Sequence, residues 1–452
     1  MHILKGYTKQ EISWMMYDWA NSAHSVIIVT LLPIFFDTVA GYTADSVSSM
    51  STWGYATSIA MLIVALAAPF LGVFGDIRGM RKKLFSFFML LGVAACAGMA
   101  FTPGMNFTSG PVAAGKVASL ILVLYIVSVI GFDASAIYYD AFLTDVTIED
   151  RMDKVSTMGY GLGYIGGSTI PLLIFLIMNL VGVPMLTCLA FVFGLTAVWW
   201  LAFSLPLLKN CEQTSGKPYE KGDVARSIKG VGTTIKEIIA NKPMLIYILS
   251  YFFYIDGVHT VISMATTYGT NLGLDSTGMM LALLLVQILG LPFCLLYIKC
   301  SEKFGARTMV GFGICVYMFI CIFAFFMNSL WQFWVLAVLC ATSQGGIQAL
   351  SRSMYGKLIP DKDRSGEFFG FFDIFGKFSS IMGPALVGVV SSVVANGMLG
   401  AQGVTAQTAT AEQIDAINAQ SSHYGILSII IIIIVGAVLY FGFLPKAEHA
   451  KQ

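Results

Sequence analysis

The stretch Gly72-Val73-Phe74-Gly75-Asp76-Ile77-Arg78-Gly79-Met80-Arg81-Lys82-Lys83 sets three glycines, one carboxylate and four cations between two long apolar runs. Its pattern is G-x-x-x-D-x-x-G-x-[RK]-[RK]. Glycine allows a tight turn and close backbone approach. A carboxylate there can sit on the positive N-terminus of another helix. Clustered Lys and Arg beside apolar runs mark a cytoplasmic loop of a membrane chain. The stretch therefore reads as a short inner turn between two membrane helices.

Working outward, the whole chain fits that reading. Charged residues are 11% and hydrophobic residues 57% of the chain, with mean hydropathy +0.79. A soluble domain carries about 25% charged residues. A bilayer core takes about 20 apolar residues per helical span. By that ruler the sequence holds twelve spans, at 12–38, 53–75, 84–103, 116–142, 156–181, 184–206, 243–269, 277–298, 308–328, 331–355, 367–396 and 423–444. The expected fold class is an all-α membrane protein. Placing both termini and every even-numbered loop in the cytoplasm puts 24 of the 26 Lys and Arg there, leaving Lys116 and Lys377. An odd span count would break that alternation, so the asymmetry supports orientation and count together. The first apolar stretch contains Asp18, Asn21 and His24 and lacks a small-residue cleavage site. It reads as a span and not as a signal peptide. The eight cysteines fall in spans or on the cytoplasmic side without metal-ligand spacing. Free thiols, no disulfide framework and no metal site are expected.

Residues 209–242 form the one long charged segment, with seven Lys or Arg. They read as a cytoplasmic linker between two six-helix bundles, 1–208 and 243–452. Val224–Ala240 within it is amphipathic, for packing under the bundle or for contact with lipid or a partner. The halves share a weak repeat. Asn21-Ser22-Ala23-His24-Ser25-Val26-Ile27 and Asp256-Gly257-Val258-His259-Thr260-Val261-Ile262 both read [N/D]-x-x-H-[S/T]-V-I, in spans 1 and 7. Secondary transporters are often built from repeats, with substrate held near the midplane at the repeat interface.

The loop pattern resembles the signature of the major facilitator superfamily, and the twelve-span count agrees with it. In that superfamily the carboxylate meets helix 11, which here begins near Glu367. Further stretches resemble one branch, the vacuole-effluxer family named for a yeast autophagy-related vacuolar amino-acid exporter. They are Tyr17-Asp18-Trp19-Ala20-Asn21-Ser22-Ala23, Tyr139-Asp140-Ala141-Phe142-Leu143, the glycine-rich run Ser156–Gly167, Tyr254-Ile255-Asp256-Gly257-Val258, Gln344-Gly345-Gly346-Ile347-Gln348-Ala349-Leu350-Ser351-Arg352-Ser353, Ile359-Pro360 and Glu367-Phe368-Phe369-Gly370. They spread over spans 1 to 11. The chain departs from the family at His24, where Phe is common, and at Asp140, where Asn is common. Both departures add ionisable groups. The short loops are similar to those of bacterial members.

Ionisable groups inside spans are costly and are functional candidates by default. Span 1 holds Asp18 and His24, span 4 Asp133 and Asp140, span 7 Asp256 and His259, and span 11 Asp373 and Lys377. The resemblance implies that helices 1, 4, 7 and 10 line a central cavity. Asp256, His259, Thr260, Ser263 and Thr267 share one helical face, as do Asp18, Asn21, Ser22 and Ser25. Span 10 adds Gln344, Gln348 and Arg352. By helical rise, Asn21, His24, Asp256 and His259 lie deepest and are the first candidates for a central site. Asp18, Asp140 and Arg352 lie nearer the inner surface, as cavity residues or as a gate and packing network. Asp133 is intermediate, and Tyr138 and Tyr254 can shape a pocket. Asp373 and Lys377 are spaced i, i+4, either as a self-neutralising pair or with Lys377 free for a substrate carboxylate. Gly72, Asp76, Gly79, Arg81, Lys82 and Asp373 are candidates for a conformational latch. The glycines and prolines of spans 5 and 11 suit either helices that slide and bend or tight static packing.

These features point to a secondary transporter in the bacterial inner membrane, working as a monomer by alternating access. The resemblance implies small polar metabolites, amino acids first, with export ahead of uptake. Proton or sodium coupling are both open. Other small organic solutes, or a non-transporting receptor, are the rival readings. No HExxH, nucleophile elbow or Walker motif is present, so neither an enzyme nor direct ATP drive is expected. No cofactor or nucleic-acid partner is expected.

Overall fold

A computed structural model describes residues 4–43, 49–218, 223–404, 408 and 410–444. The cationic tail at 445–452, three residues at the N-terminus and linker positions 219–222, all read above as cytoplasmic, lie outside the described residues. Twelve described helices are long and apolar enough to cross a bilayer. Spans 1 to 6 are Lys9–Ala40, Tyr55–Gly75, Met80–Gly104, Pro111–Val146, Glu149–Leu180 and Met185–Asn210. Spans 7 to 12 are Lys242–Asn271, Thr277–Phe304, Ala306–Phe325, Leu330–Leu358, Lys362–Ala401 and Glu412–Phe443. No β-strand is present among the described residues, and the one bridge, Ile77 with Lys217, is isolated.

Local chemistry sets the helix starts. Thr8 and Glu11 form a reciprocal capping box before span 1, and Thr410 and Gln413 do the same before span 12. The Asp275 carboxylate accepts the Gly278 N–H at 2.6 Å before span 8. Most helices run longer than the hydrophobic stretches alone. Span 12 begins eleven residues before the expected 423 because the polar segment Glu412–Ser422 is helical too.

The chain divides into two compact units. The first is Met1–Thr234 with Gly356–Ile374, and the second is Ile235–Tyr355 with Phe375–Gln452. The first unit thus carries spans 1 to 6, most of the linker, and the start of span 11. In it span 1 packs against spans 4, 5 and 6. Span 5 contains a π-helical turn, Tyr164–Thr169. Its glycines lie directly on span 1: a Cβ on Gly167 would stand 2.5 Å from the Trp19 carbonyl oxygen and 2.8 Å from the Ala23 nitrogen. Gly166 lies against the Trp19 ring, and Gly159 against the Asp18 carboxylate. That is tight packing within one unit. In the second unit span 7 packs on span 12, which also packs on span 9. Gly436 admits the Tyr254 backbone, 2.7 Å from where its Cβ would be. The linker helix Asp223–Ala240 has Thr234 and Ile238 buried, with Ile235 and Ile239 exposed.

Gly167→Val should force span 5 off span 1 and lower stability by about 1–3 kcal/mol, the usual cost of overpacking. Gly232→Ala in the linker helix meets nothing within 4 Å and should gain about 0.5–1 kcal/mol. Thermal unfolding midpoints in detergent should move in these opposite directions.

Candidate functional site

In the first unit, the signature loop closes on the first turn of span 11. Asp76 accepts the Gly366 N–H on Oδ1 at 2.7 Å and the Glu367 N–H on Oδ2 at 2.8 Å. These are first-turn amides that have no acceptor inside their own helix, at its positive end. Close approach is built in. A Cβ on Gly72 would strike the Gly366 carbonyl, and one on Gly370 would stand 2.5 Å from the Ala68 carbonyl oxygen.

Arg81 organises the rest. It is fully buried. Its Nη2 donates to Asp76 Oδ1 at 2.9 Å and to Ser365 Oγ at 2.8 Å. Its Nη1 donates to Asp145 Oδ2 at 2.5 Å, and to the Ala141 carbonyl and Ser215 Oγ at 3.2 Å each. Gly79 takes a left-handed φ of +82° and presents its N–H to Gln213 Oε1 at 2.9 Å. Lys82 is half-buried, and its carbonyl accepts the Ser86 hydroxyl at 2.7 Å. Asp145, Gln213, Ser215 and Ser365 join this network without any sequence pattern that marks them. Asp145 sits at the end of span 4, where an acid reads as interfacial. Nothing in the sequence tells that Arg81 alone of three adjacent cations turns inward. Cys211 lies beside this network, and burial pushes its thiol up to about 12.

A second polar network in this unit fastens span 1 to the start of span 5. Buried Glu11 accepts Thr147 Oγ1 at 2.7 Å and both Arg151 Nε and Nη2 at 2.8 Å. Lys357 reaches Asp153 at 2.6 Å.

The span 1 and span 4 candidates do not converge on one point. Asp18 faces the span 5 glycines. His24 is 2% exposed and turns to spans 4 and 6: its Nε2 lies 3.2 Å from Ser128 Oγ, and its ring packs against Phe132 and Trp200. Asn21 and Asp133 are buried, and Asp140 is half-buried. Tyr138 donates to the Leu71 carbonyl at 3.0 Å and covers Gly75, behind the signature loop.

In the second unit Asp256 is fully buried. Its Oδ1 accepts the Gly383 N–H at 2.9 Å and the Thr260 hydroxyl at 3.5 Å, while its Oδ2 has no hydrogen-bond partner among the described residues. Gly383 precedes Pro384 within span 11. Proline has no N–H and breaks the helical ladder, and Asp256 takes up the amide beside that break. His259 Nδ1 lies 3.5 Å from Ser379 Oγ, and Lys377 acts on the same imidazole. Tyr254 is a core residue, its hydroxyl 2.7 Å from Ser351 Oγ. Gln344, with Gln287, faces an apolar cavity of about 90 Å³ bounded by Tyr268, Phe333 and Cys340. Gln348 is half-buried and Arg352 buried on the same helix. Asp373 belongs to the first unit and Lys377 to the second.

A family model described as vacuole effluxer Atg22 like matches residues 7–397. The chain belongs to that family. Its relatives include a Bacillus subtilis (strain 168) protein described as an uncharacterized MFS-type transporter, YxiO. The two are 43% identical over 399 residues, covering 86% of this chain and 90% of the relative. Autophagy-related protein 22-1 of Penicillium rubens is 25% identical over 55% of this chain, which covers 46% of the fungal protein. Among solved structures, a proton:xylose symporter of the major facilitator superfamily, XylE, aligns with a TM-score of 0.66 at 16% identity. That alignment covers 97% of this chain and 94% of the other. A bacterial homologue of the iron transporter ferroportin aligns at a TM-score of 0.63 and 14% identity, covering 97% and 99%. At these identities the structures establish the fold, that of the major facilitator superfamily. This Atg22-like chain is therefore a multi-pass membrane transporter of that superfamily.

Arg81→Ala should leave Asp76 and Asp145 buried without their cation, at a cost of about 3–5 kcal/mol. Arg81→Ala combined with Asp145→Ala should cost clearly less than the two single losses added together. A double-mutant cycle of thermal unfolding checks this, and simple additivity would contradict the shared-cation geometry.

Proposed function

We propose that this Atg22-like chain moves small polar metabolites, amino acids first, across the bacterial inner membrane by alternating access, coupled to a proton taken up at Asp256. Both termini stand in the cytoplasm, as the Lys and Arg distribution supports. The substrate class rests on the family. One observation carries the coupling: a fully buried carboxylate in span 7 with one oxygen held by Gly383 and Thr260 and the other without a partner among the described residues. An ionised carboxylate inside a bilayer without a partner for each oxygen is strongly disfavoured. Such a group is suited to gaining and losing a proton during a cycle. The signature loop serves this cycle as its latch, releasing the first turn of span 11 when the inner side opens. His259 and Lys377 stand near the same stretch of span 11 and are the next candidates for substrate contact.

The test is flux of labelled amino acids in proteoliposomes, with and without an imposed pH gradient. The unaltered protein should move at least one of them faster with the gradient. Asp256→Asn should abolish the gradient's effect while leaving exchange of substrate across the membrane in place. Flux that follows a sodium gradient and ignores pH would replace the proton with sodium. A receptor that does not transport would show no flux and would tolerate both Asp256→Asn and His259→Ala.

A further inference from the structure

The segment directly after span 6, Cys211–Lys217, runs without regular secondary structure against the signature loop. Lys217 donates its N–H to the Asp76 carbonyl at 3.0 Å, and its own carbonyl accepts the Arg78 N–H at 2.9 Å. Gln213 Oε1 accepts the Gly79 and Arg81 N–H groups at 2.9 and 3.2 Å, while its Nε2 donates to the Gly75 carbonyl at 3.0 Å. Asp145 Oδ1 accepts the Thr214 and Ser215 N–H groups at 3.1 and 2.9 Å and the Thr214 hydroxyl at 2.8 Å. Gly216 then donates its N–H to Asp363 Oδ1 at 2.8 Å, two residues before Ser365 opens the α-helical part of span 11. Four consecutive loop amides, 214 to 217, are thus all bonded, which an unstructured linker would leave to water.

Gly216 fits this path for a specific reason. Its φ is +110°, and a Cβ there would stand 2.6 Å from the Asp76 carbonyl oxygen. Any other residue would be both strained and blocked. The contacts also differ in kind. Those of Gln213, Thr214 and Lys217 tie the segment to the signature loop and span 4. Those of Gly216 with Asp363, and of Ser215 with the guanidinium that also holds Ser365, tie it to the segment opening span 11.

We propose that Cys211–Lys217 is a strap that forms a second lock on span 11, in parallel with Asp76, with Gly216 and Asp363 as its positioning residues. The functional meaning rests on the alternating-access reading: freeing the first turn of span 11 then requires release of Gly216 from Asp363 as well as of Gly366 and Glu367 from Asp76. The linker between the halves is thereby part of the gate, and its docking sets how easily the inner side opens.

Hydrogen–deuterium exchange on the full-length protein in detergent tests this without any substrate. Asp363→Ala alters an exposed side chain and should leave the fold intact. It should speed exchange about tenfold in peptides covering 363–369, the effect expected when one charge-assisted hydrogen bond is lost. Gly216→Ala should do the same at 363–369 and also at 211–218. The double variant should be no faster at 363–369 than the faster single one. Faster exchange confined to 211–218, or a double variant whose effects multiply, overturns the lock. If Gly216→Ala does not fold, Asp363→Ala alone decides, since unchanged exchange at 363–369 sinks the proposal. Absence of amino-acid flux in proteoliposomes would remove the substrate reading and leave the exchange result standing.

Discussion

A guanidinium taken wholly out of water governs the first unit. Arg81 has no solvent of its own, so its donors need acceptors from the protein. Asp76 and Asp145 supply charge from either side, and Ser365, Ser215 and the Ala141 carbonyl supply oxygens. The five acceptors come from four stretches of chain: the signature loop, the end of span 4, which supplies Asp145 and Ala141, the linker and the start of span 11. One cation therefore fixes four segments at a single point. The close glycine contacts of Gly72 and Gly366 follow, because the carboxylate of Asp76 reaches the Gly366 and Glu367 amides only if the two backbones nearly touch.

The repeat between spans 1 and 7 persists in sequence and parts in chemistry. Asn21 and Asp256 open the two matching heptapeptides, and His24 and His259 hold the same position within them. His24 is packed between Phe132 and Trp200 with Ser128 as its polar neighbour, and its Nδ1 has no partner among the described residues. His259 stands beside Ser379 and Lys377. A histidine filling an aromatic core and one facing charged and hydroxyl groups do different work. The span 7 copy therefore keeps the chemistry of a candidate site, while the span 1 copy serves packing.

Sequence periodicity made the membrane architecture legible because each span had to be apolar over a length set by the bilayer. The twelve segments and the turn at Gly72–Lys83 followed from that one constraint. The site was legible in part. Asp76 and Arg81 stand out as residues in a patterned loop, and Asp256 as a charge in an apolar run. Asp145, Gln213 and Ser365 do not stand out, since each is an ordinary polar residue near a span end whose partner is far away in sequence. Helical stripes also misdirect. Asp18 and Asn21 share a face, yet Asp18 is covered by glycines of span 5, which only three-dimensional packing reveals. Gly216 carries no pattern at all, and its requirement appears only in its φ and in the oxygen blocking its Cβ.

Span 11 carries three amides that side-chain carboxylates receive. At one end Gly366 and Glu367 are received by Asp76, and further along Gly383 is received by Asp256. The carboxylates look alike and their surroundings do not. Asp76 has two N–H donors and a buried guanidinium, which favour its ionised form against the burial that pushes its carboxyl up to about 7. Asp256 has one N–H and one hydroxyl, and its second oxygen is left over. A carboxylate held by three donors suits a latch, which has to keep two backbones together. A charge that is poorly supported suits a group that must change its protonation state. One helix thus meets a holding carboxylate at its start and one suited to switching at its middle, and the Gly383-Pro384 break lies next to the second.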